Sequence, residues 1–282
     1  MHGIEGRMTG VVLHVLMDNR ALSGFASEWG LSLAIEAGGE TWLWDAGGGP
    51  AFLANAERMG VAPAAARGLA LSHGHFDHGG GLAALSAAGF DGPIHAHPEA
   101  LRERWAKRQD RAPEAIGLPE EARRVLASNL ARTRGTVRLT PWMEMHTDID
   151  RLPGNPEAVR DFFLDLGCSR PDAVPDDAFL LLRTGAGPVA VLGCCHAGLA
   201  NTLARLRQEG IGRLHALVGG LHLYRASPSE VNDAAAALAS FGVERILTGH
   251  CTGDAATAAL ARAFPGRVEP LAAGMTVRFQ AD

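Results

Sequence analysis

No apolar run in this chain approaches the roughly 20 residues that a membrane-spanning helix needs. Its start also lacks a charged segment followed by an apolar stretch. Neither a membrane partner nor a secretion leader is expected, and the chain reads as cytoplasmic. Cysteine is scarce: there are 4, with Cys194 and Cys195 adjacent and Cys168 and Cys251 far apart in sequence. That is not a disulfide framework, so reduced thiols are expected. An excess of positive charge is lacking too. A formal net charge of -5 offers no broad electropositive field for nucleic acid phosphates, and nucleic acid is not an expected partner. The glycine run Gly47-Gly48-Gly49 lacks the Lys-Ser/Thr ending of a nucleotide-binding loop and reads as a tight turn.

What is present suits a folded globular protein. Hydrophobic residues make up 47% and charged residues 20% of the chain, enough apolar side chain for a sizeable core. Met1 to Arg7 end in Ile4-Glu5-Gly6-Arg7, which reads as an engineered protease-cleavage linker ahead of a natural Met8. His2 then belongs to the tag. Large α/β folds often run to roughly 200 to 250 residues as one unit, so residues 8–282 are taken as a single domain with an insertion at about 98–175.

Short β-rich runs at Val11 to Met17, Leu31 to Glu36 and Thr41 to Trp44 suggest an antiparallel start, with a hairpin at Gly38-Gly39. Pro50 to Met59 has helical spacing, begins with proline and stops at Gly60. Leu69 to Ser72 reads as a strand, Leu82 to Ala88 as a helix and Ile94 to His97 as a strand. From about Pro98 to Pro175 the composition shifts to Arg, Glu and Pro, with amphipathic helices expected at Leu101 to Arg111 and Glu120 to Arg134. Regular order resumes with strands at Ala178 to Thr184 and Val189 to Leu192, then a helix from Leu199. A strand at Ala216 to Val218, a helix near Ser229 to Ser240 and a strand at Arg245 to Thr248 follow. The helix Asp254 to Phe264 and the strand Thr276 to Gln280 close the chain. No internal repeat is evident. Hairpin strands mixed with strand-to-helix crossovers suggest layered sheets covered by helices.

The densest chemistry lies in Leu71-Ser72-His73-Gly74-His75-Phe76-Asp77-His78-Gly79-Gly80. Residues two apart on an extended segment share a side, so His73, His75 and Asp77 can converge, and a turn at the glycines can swing His78 inward. Imidazole nitrogens with a single carboxylate suit zinc, and also iron or manganese, rather than calcium or magnesium. His196 and His250 each follow a strand, at its carboxyl end, where open α/β sheets usually place ligands. Gly249 and Gly253 leave room for a close approach beside His250. His222 also ends a strand. With six other ligands available it is read as a substrate contact or proton donor, against a core role. His95, His97 and His146 are read as structural or rim residues.

The 73–78 segment resembles the HxHxDH signature of the metallo-β-lactamase superfamily, which implies a four-layered αβ/βα sandwich, here with a helical insertion. Gly193-Cys194-Cys195-His196-Ala197-Gly198, Gly219-Gly220-Leu221-His222-Leu223 and Gly249-His250-Cys251-Thr252-Gly253 resemble one branch of it. That branch is the dihydropterin-ribofuranosyl-aminobenzene-phosphate synthase-like one. Trp29-Gly30-Leu31-Ser32 and Trp44-Asp45-Ala46-Gly47 add to the likeness. The resemblance implies His73, His75 and His196 at one metal, and Asp77, His78 and His250 at a second. It also implies that Asp45 supports the ligand histidines from behind. Cys194 and Cys195 fall where other branches supply an acidic or thiolate ligand, so either could touch the second metal, against the ordinary reading of a buried cysteine.

Two divalent ions roughly 3.5 to 4 Å apart can share a hydroxide and polarise the bond it attacks. The expected activity is hydrolysis of a small, anionic phosphoester or ester/lactone through a metal-bound hydroxide oriented by Asp77, with His222 or a water protonating the leaving group. Zinc is the first choice of ion. Arg102, Arg104, Lys107, Arg108 and Arg111 could receive an anionic substrate group, Arg108 and Arg111 foremost, against the reading of a solvated helix face. A di-iron redox or oxygen-activating protein and a pterin-related synthase are the alternative activities. A binding module without turnover is disfavoured by the intact ligand set. The expected partner is a small-molecule substrate, and homo-oligomer formation stays open.

Overall fold

The computed structural model describes residues 10–280, so the linker reading of residues 1–7 lies outside the described part. A meander of β1 (Val11–Met17), β2 (Ser32–Ala37) and β3 (Glu40–Trp44) comes first. Gly38 and Gly39 turn the β2–β3 hairpin with φ of 62° and 80°, the left-handed pair that a tight two-residue turn demands. Next come α1 (Ala51–Met59), β4 (Gly68–Ala70), the one-turn α2 (Phe76–Gly79), α3 (Leu82–Ala87) and β5 (Ile94–Ala96). Gly60 ends α1 in the left-handed conformation. The middle of the chain holds β6 (Trp105–Ala106), β7 (Glu114–Ala115), α4 (Glu120–Asn129), β8 (Leu130–Arg132), β9 (Thr136–Thr140), β10 (Met143–His146) and β11 (Phe162–Phe163). The last part runs β12 (Phe179–Thr184), β13 (Gly187–Leu192), α5 (Leu199–Gln208), β14 (Leu214–Gly219), α6 (Pro228–Phe241), β15 (Val243–Thr248), α7 (Asp254–Ala263), β16 (Val268–Pro270) and β17 (Thr276–Phe279). A Ser227/Glu230 capping box starts α6.

Two seven-stranded sheets share one plan. The first, ordered β17-β1-β2-β3-β4-β5-β8, is antiparallel through β3 and parallel beyond it. In the second, ordered β16-β15-β14-β13-β12-β10-β9, the strands β13 to β16 are parallel and the rest antiparallel. Leu13, Leu33 and Trp44 of the first sheet meet Leu180, Val191 and Val218 of the second in the central core. Outside it, α1, α3 and α4 cover the first sheet through Phe52, Leu85 and Leu126. Leu206, Leu238 and Leu260 of α5, α6 and α7 cover the second. The result is the four-layered αβ/βα sandwich.

The stretch 98–175 departs from its sequence reading. The expected helix Leu101 to Arg111 is absent; a short 3₁₀ turn at Pro98–Leu101 leads into extended β6. The sequence reading offered Arg104 either to an anionic substrate group or to a solvated helix face. It is instead fully buried between Asp172 and Asp176, and an extended backbone delivers it there. The expected helix Glu120 to Arg134 stops at Asn129, because Leu130 to Arg132 pair with β5 as the edge of the first sheet. Strands β9 and β10 build the second sheet. Much of the supposed insertion is therefore sheet framework, with β6, β7 and β11 forming a small third sheet.

Candidate metal centre

Parallel strands point their carboxyl ends to one end of the sandwich, and each delivers a loop there. Asp45 follows β3, Ser72 and His73 follow β4, Cys194 and His196 follow β13, His222 follows β14 and His250 follows β15. Several of these turns use left-handed backbone at non-glycine residues: φ is 61° at Asp45, 60° at Cys195, 50° at His222 and 49° at His250. Such conformations cost about 1–3 kcal/mol each and tend to persist at functional sites, where surrounding structure holds them.

The six side chains of the expected ligand set come together. His73 Nε2 lies 3.0 Å from His75 Nδ1 and 3.2 Å from His196 Nε2. His78 Nε2 lies 3.1 Å from His250 Nε2, and Asp77 Oδ2 is 3.3 Å from the same His250 atom. All six are buried. The atom of His75 that faces the cluster is Nδ1, while its Nε2 is buried without a hydrogen-bond partner. Imidazoles and one carboxylate, bordered by the Cys194 thiol 3.1 Å from His78 Nε2, make a borderline-soft donor set suited to zinc, iron or a similar divalent ion.

Four buried aspartates hold these loops without belonging to the ligand set. Asp45 accepts from Ser72 N at 2.7 Å and Ser72 Oγ at 2.8 Å, and lies 2.7 Å from His78 Nδ1. This turns Nε2 of His78 towards the cluster. Asp18 Oδ2 accepts from His250 N at 3.0 Å. Asp176 Oδ2 accepts from Gly74 N at 2.7 Å, between the first two histidines, and its neighbour Asp177 accepts from Ala197 N at 2.8 Å, beside His196. Only Asp45 was singled out from sequence. The strand-end position that flagged it applies equally to Asp18 after β1, whereas nothing local marks Asp176 and Asp177. Trp29 was also missed as a contact: its Nε1 donates to Asp77 Oδ2 at 2.8 Å. Asn19 Oδ1 lies 3.1 Å from His250 Nδ1.

Burial sets the protonation of the cluster. Desolvation, with repulsion from neighbouring histidines, holds His73 and His196 well below the usual histidine range. Desolvation and then Arg104 lower His75 to about 3. Burial pushes the Asp77 carboxyl up, but His78, His250 and His75 together outweigh it and keep it ionised. His250 is penalised by burial yet raised to about 9, chiefly by its bond to Asp77.

His222 is half-buried, its ring 4.5 Å from that of His196, and its Nδ1 is buried without a partner. Phe162 of β11 packs edge-on against His75 at 5.2 Å and His196 at 5.6 Å. A cleft beside the cluster is lined by Trp29, Phe76, Tyr224, Arg108, Arg111 and Arg225. Of the other histidines, His95 packs on Trp42, His97 pairs with Asp148 and His146 stacks on Phe179. None of the three joins the cluster. Cys194 borders the site, while Cys195 turns into the core towards Thr202 Oγ1, 3.4 Å away. All cysteines are free thiols.

Residues 30–166 match the family model described as Metallo-beta-lactamase superfamily. Together with the four layers and the HxHxDH cluster, this match identifies the metallo-β-lactamase fold, a fold that implies divalent metal binding. The chain is 28% identical to 7,8-dihydropterin-6-methyl-4-(beta-D-ribofuranosyl)-aminobenzene-5'-phosphate synthase of Methanocaldococcus jannaschii, over 97% of this chain and 98% of that protein. Among solved structures, a metal-dependent hydrolase of the beta-lactamase superfamily is 28% identical with a TM-score of 0.81, covering 95% of this chain and 98% of its own. A diphosphatase from the PhnP family, 14% identical over 96% of this chain and 98% of its own with a TM-score of 0.58, shares the fold. Among the described residues no helix is long and apolar enough to cross a membrane.

Proposed function

We propose that the protein is a dinuclear metal-dependent hydrolase of a small, anionic phosphoester or ester/lactone. His73, His75 and His196 would hold one ion, and Asp77, His78 and His250 the second, with zinc the preferred metal. The observation that carries this reading is the meeting of those six side chains in one buried cluster from three separate loops. When bound, the ions supply a nucleophile from water near neutral pH and polarise the bond under attack. Asp77, ionised and fixed by the Trp29 N–H, holds an acceptor towards the reacting water. His222, beside the cluster with an unpartnered ring nitrogen, is placed to move a proton to the leaving group. Arg108 and Arg111 in the adjoining cleft suit an anionic substrate group, and the aromatic walls suit an apolar one.

Metal analysis of the purified chain tests this. About two zinc ions per chain, reduced in His75→Ala and His250→Ala, with turnover in a panel of phosphodiesters, phosphomonoesters and lactones, is the expected result. Two iron ions with visible absorbance would move the assignment to redox chemistry. A pterin-related synthase is a second reading, favoured by the near full-length similarity to the methanogen enzyme. Condensation of a dihydropterin with an aminobenzene ribofuranosyl phosphate, without hydrolysis of the panel, would select it.

A further inference from the structure

Three cysteines lie buried around the centre, and they serve as controls for one another. Cys195 turns its sulfur into the helix-covered core of the second sheet, against Thr202. Cys251 Sγ accepts from His222 N at 3.3 Å and lies 3.7 Å from the carbonyl oxygen of Cys194, so backbone groups engage it on both sides. Cys194 Sγ instead faces the ligand nitrogens, 3.1 Å from His78 Nε2. It is also the one residue common to all three candidate ligand groups: with His73 and His196 in the first, with His78 and His250 in the second, and with His222 and Cys251 in a third that holds none of the six expected ligands. Within each group the donor atoms lie within 4.8 Å of one another. The donors of one tetrahedral zinc stand about 3.3–3.7 Å apart, given bonds of roughly 2.0–2.1 Å to nitrogen and 2.3 Å to sulfur.

We infer that Cys194 is a ligand shared by both metal positions, its sulfur bridging the ion held by His73 and His196 and the ion held by His78 and His250. The inference rests on the two-metal reading above. It adds a second anionic donor to Asp77, so that two divalent ions face two protein charges rather than one. A soft thiolate between the ions also biases the centre towards zinc or iron over manganese or magnesium. His222, whose donor atom falls within the same 4.8 Å limit of Cys194 and Cys251, then stays available to substrate.

The test is zinc-edge X-ray absorption on the full chain loaded with zinc, alongside metal counts. The expected spectrum has two zinc ions per chain and an average of one sulfur per zinc at about 2.3 Å. Cys194→Ser should lose that sulfur shell, and Cys195→Ala and Cys251→Ala should keep it. Cobalt-loaded wild-type protein should show a sulfur-to-cobalt charge-transfer band in the near ultraviolet that Cys194→Ser lacks. Two zinc ions with no sulfur would overturn the inference and leave the two-metal reading intact. Half a sulfur per zinc would overturn the bridge in favour of a terminal thiolate on one ion. Loss of the sulfur in Cys251→Ala instead would move the ligand to that residue and overturn it as well. Fewer than two ions in the wild-type chain would remove the two-metal reading first, and the bridge with it.

Discussion

Asp45 illustrates how much one buried side chain can hold. One carboxylate secures a backbone N–H and a hydroxyl of Ser72 and the Nδ1 of His78, and so sets the tautomer of a ligand nitrogen. Asp45→Ala is expected to weaken metal affinity by about 10- to 100-fold, the range usual for such supporting partners, with the circular dichroism spectrum unchanged. Competition against a chromophoric chelator measures it, and affinity within twofold of wild type would contradict the role. Gly74 is a second sensitive position. A Cβ placed there would meet the carbonyl oxygen of Ala100 at 2.1 Å, backbone that cannot swing aside. Gly74→Ala should cost about 1–3 kcal/mol, as overpacking typically does. It should also displace the His73–His75 segment, lowering both the urea midpoint and the zinc stoichiometry.

At the level of elements, the segment between β5 and α4 is fastened to the centre by charge rather than by periodic apolar packing. Arg104 contacts Asp172 Oδ2 through Nε at 2.8 Å and Asp176 Oδ2 through a terminal nitrogen at 3.0 Å, and Asp176 in turn holds Gly74 N. Removing the guanidinium leaves two carboxylates buried without their counter-charge, a loss of about 3–5 kcal/mol when one partner of a buried pair is deleted. Arg104→Met should therefore lower the denaturation midpoint far more than Arg102→Met, since Arg102 is exposed and its partner Glu99 only half-buried. Equal shifts in the two variants would refute the buried network. The same segment carries Arg108 and Arg111 along the cleft, so Arg104 ties a wall of the site to its floor.

Across the whole molecule, ionisation couples stability to pH. In the metal-free protein His73, His75 and His196 are lowered by burial, and His146 falls to about 4 for the same reason. Below about 6.5 the unfolded chain takes up protons on these four residues that the folded chain refuses, so stability drops as pH falls from about 6.5 towards 4. Asp18 and Asp177, raised to about 6 by burial, act in the opposite sense between about 4 and 6. His250, raised to about 9, also opposes the loss until the unfolded histidine is protonated near 6.5, and the four lowered histidines outweigh these three groups to leave the net loss. Urea unfolding of chelator-treated protein at pH 7 and pH 5 should show the lower midpoint at pH 5. Zinc should widen the gap, because protons compete for its ligands, and an unchanged or higher midpoint at pH 5 would count against neutral buried histidines.

The sequence by itself determined what depends on short-range rules. Alternation and turn chemistry located β1, the Gly38-Gly39 hairpin and α1, and two-residue spacing brought His73 and His75 together, whereas Asp77 reaches the site from the one-turn helix α2 and not from an extended segment. Strand-end position drew out His196 and His250. Tertiary structure alone decided what depends on partners distant in the chain. Leu130 to Arg132 end as a strand because β5 offers an open edge, and Arg104 is buried because two aspartates some 70 residues later wait for it. Adjacent cysteines at 194 and 195 are indistinguishable in sequence, yet the left-handed turn at Cys195 sends one sulfur to the histidines and the other to the core. Local propensity acts over a few residues, whereas convergence of Asp18, Asp45, Asp176 and His250 follows from strand order, which no single segment encodes.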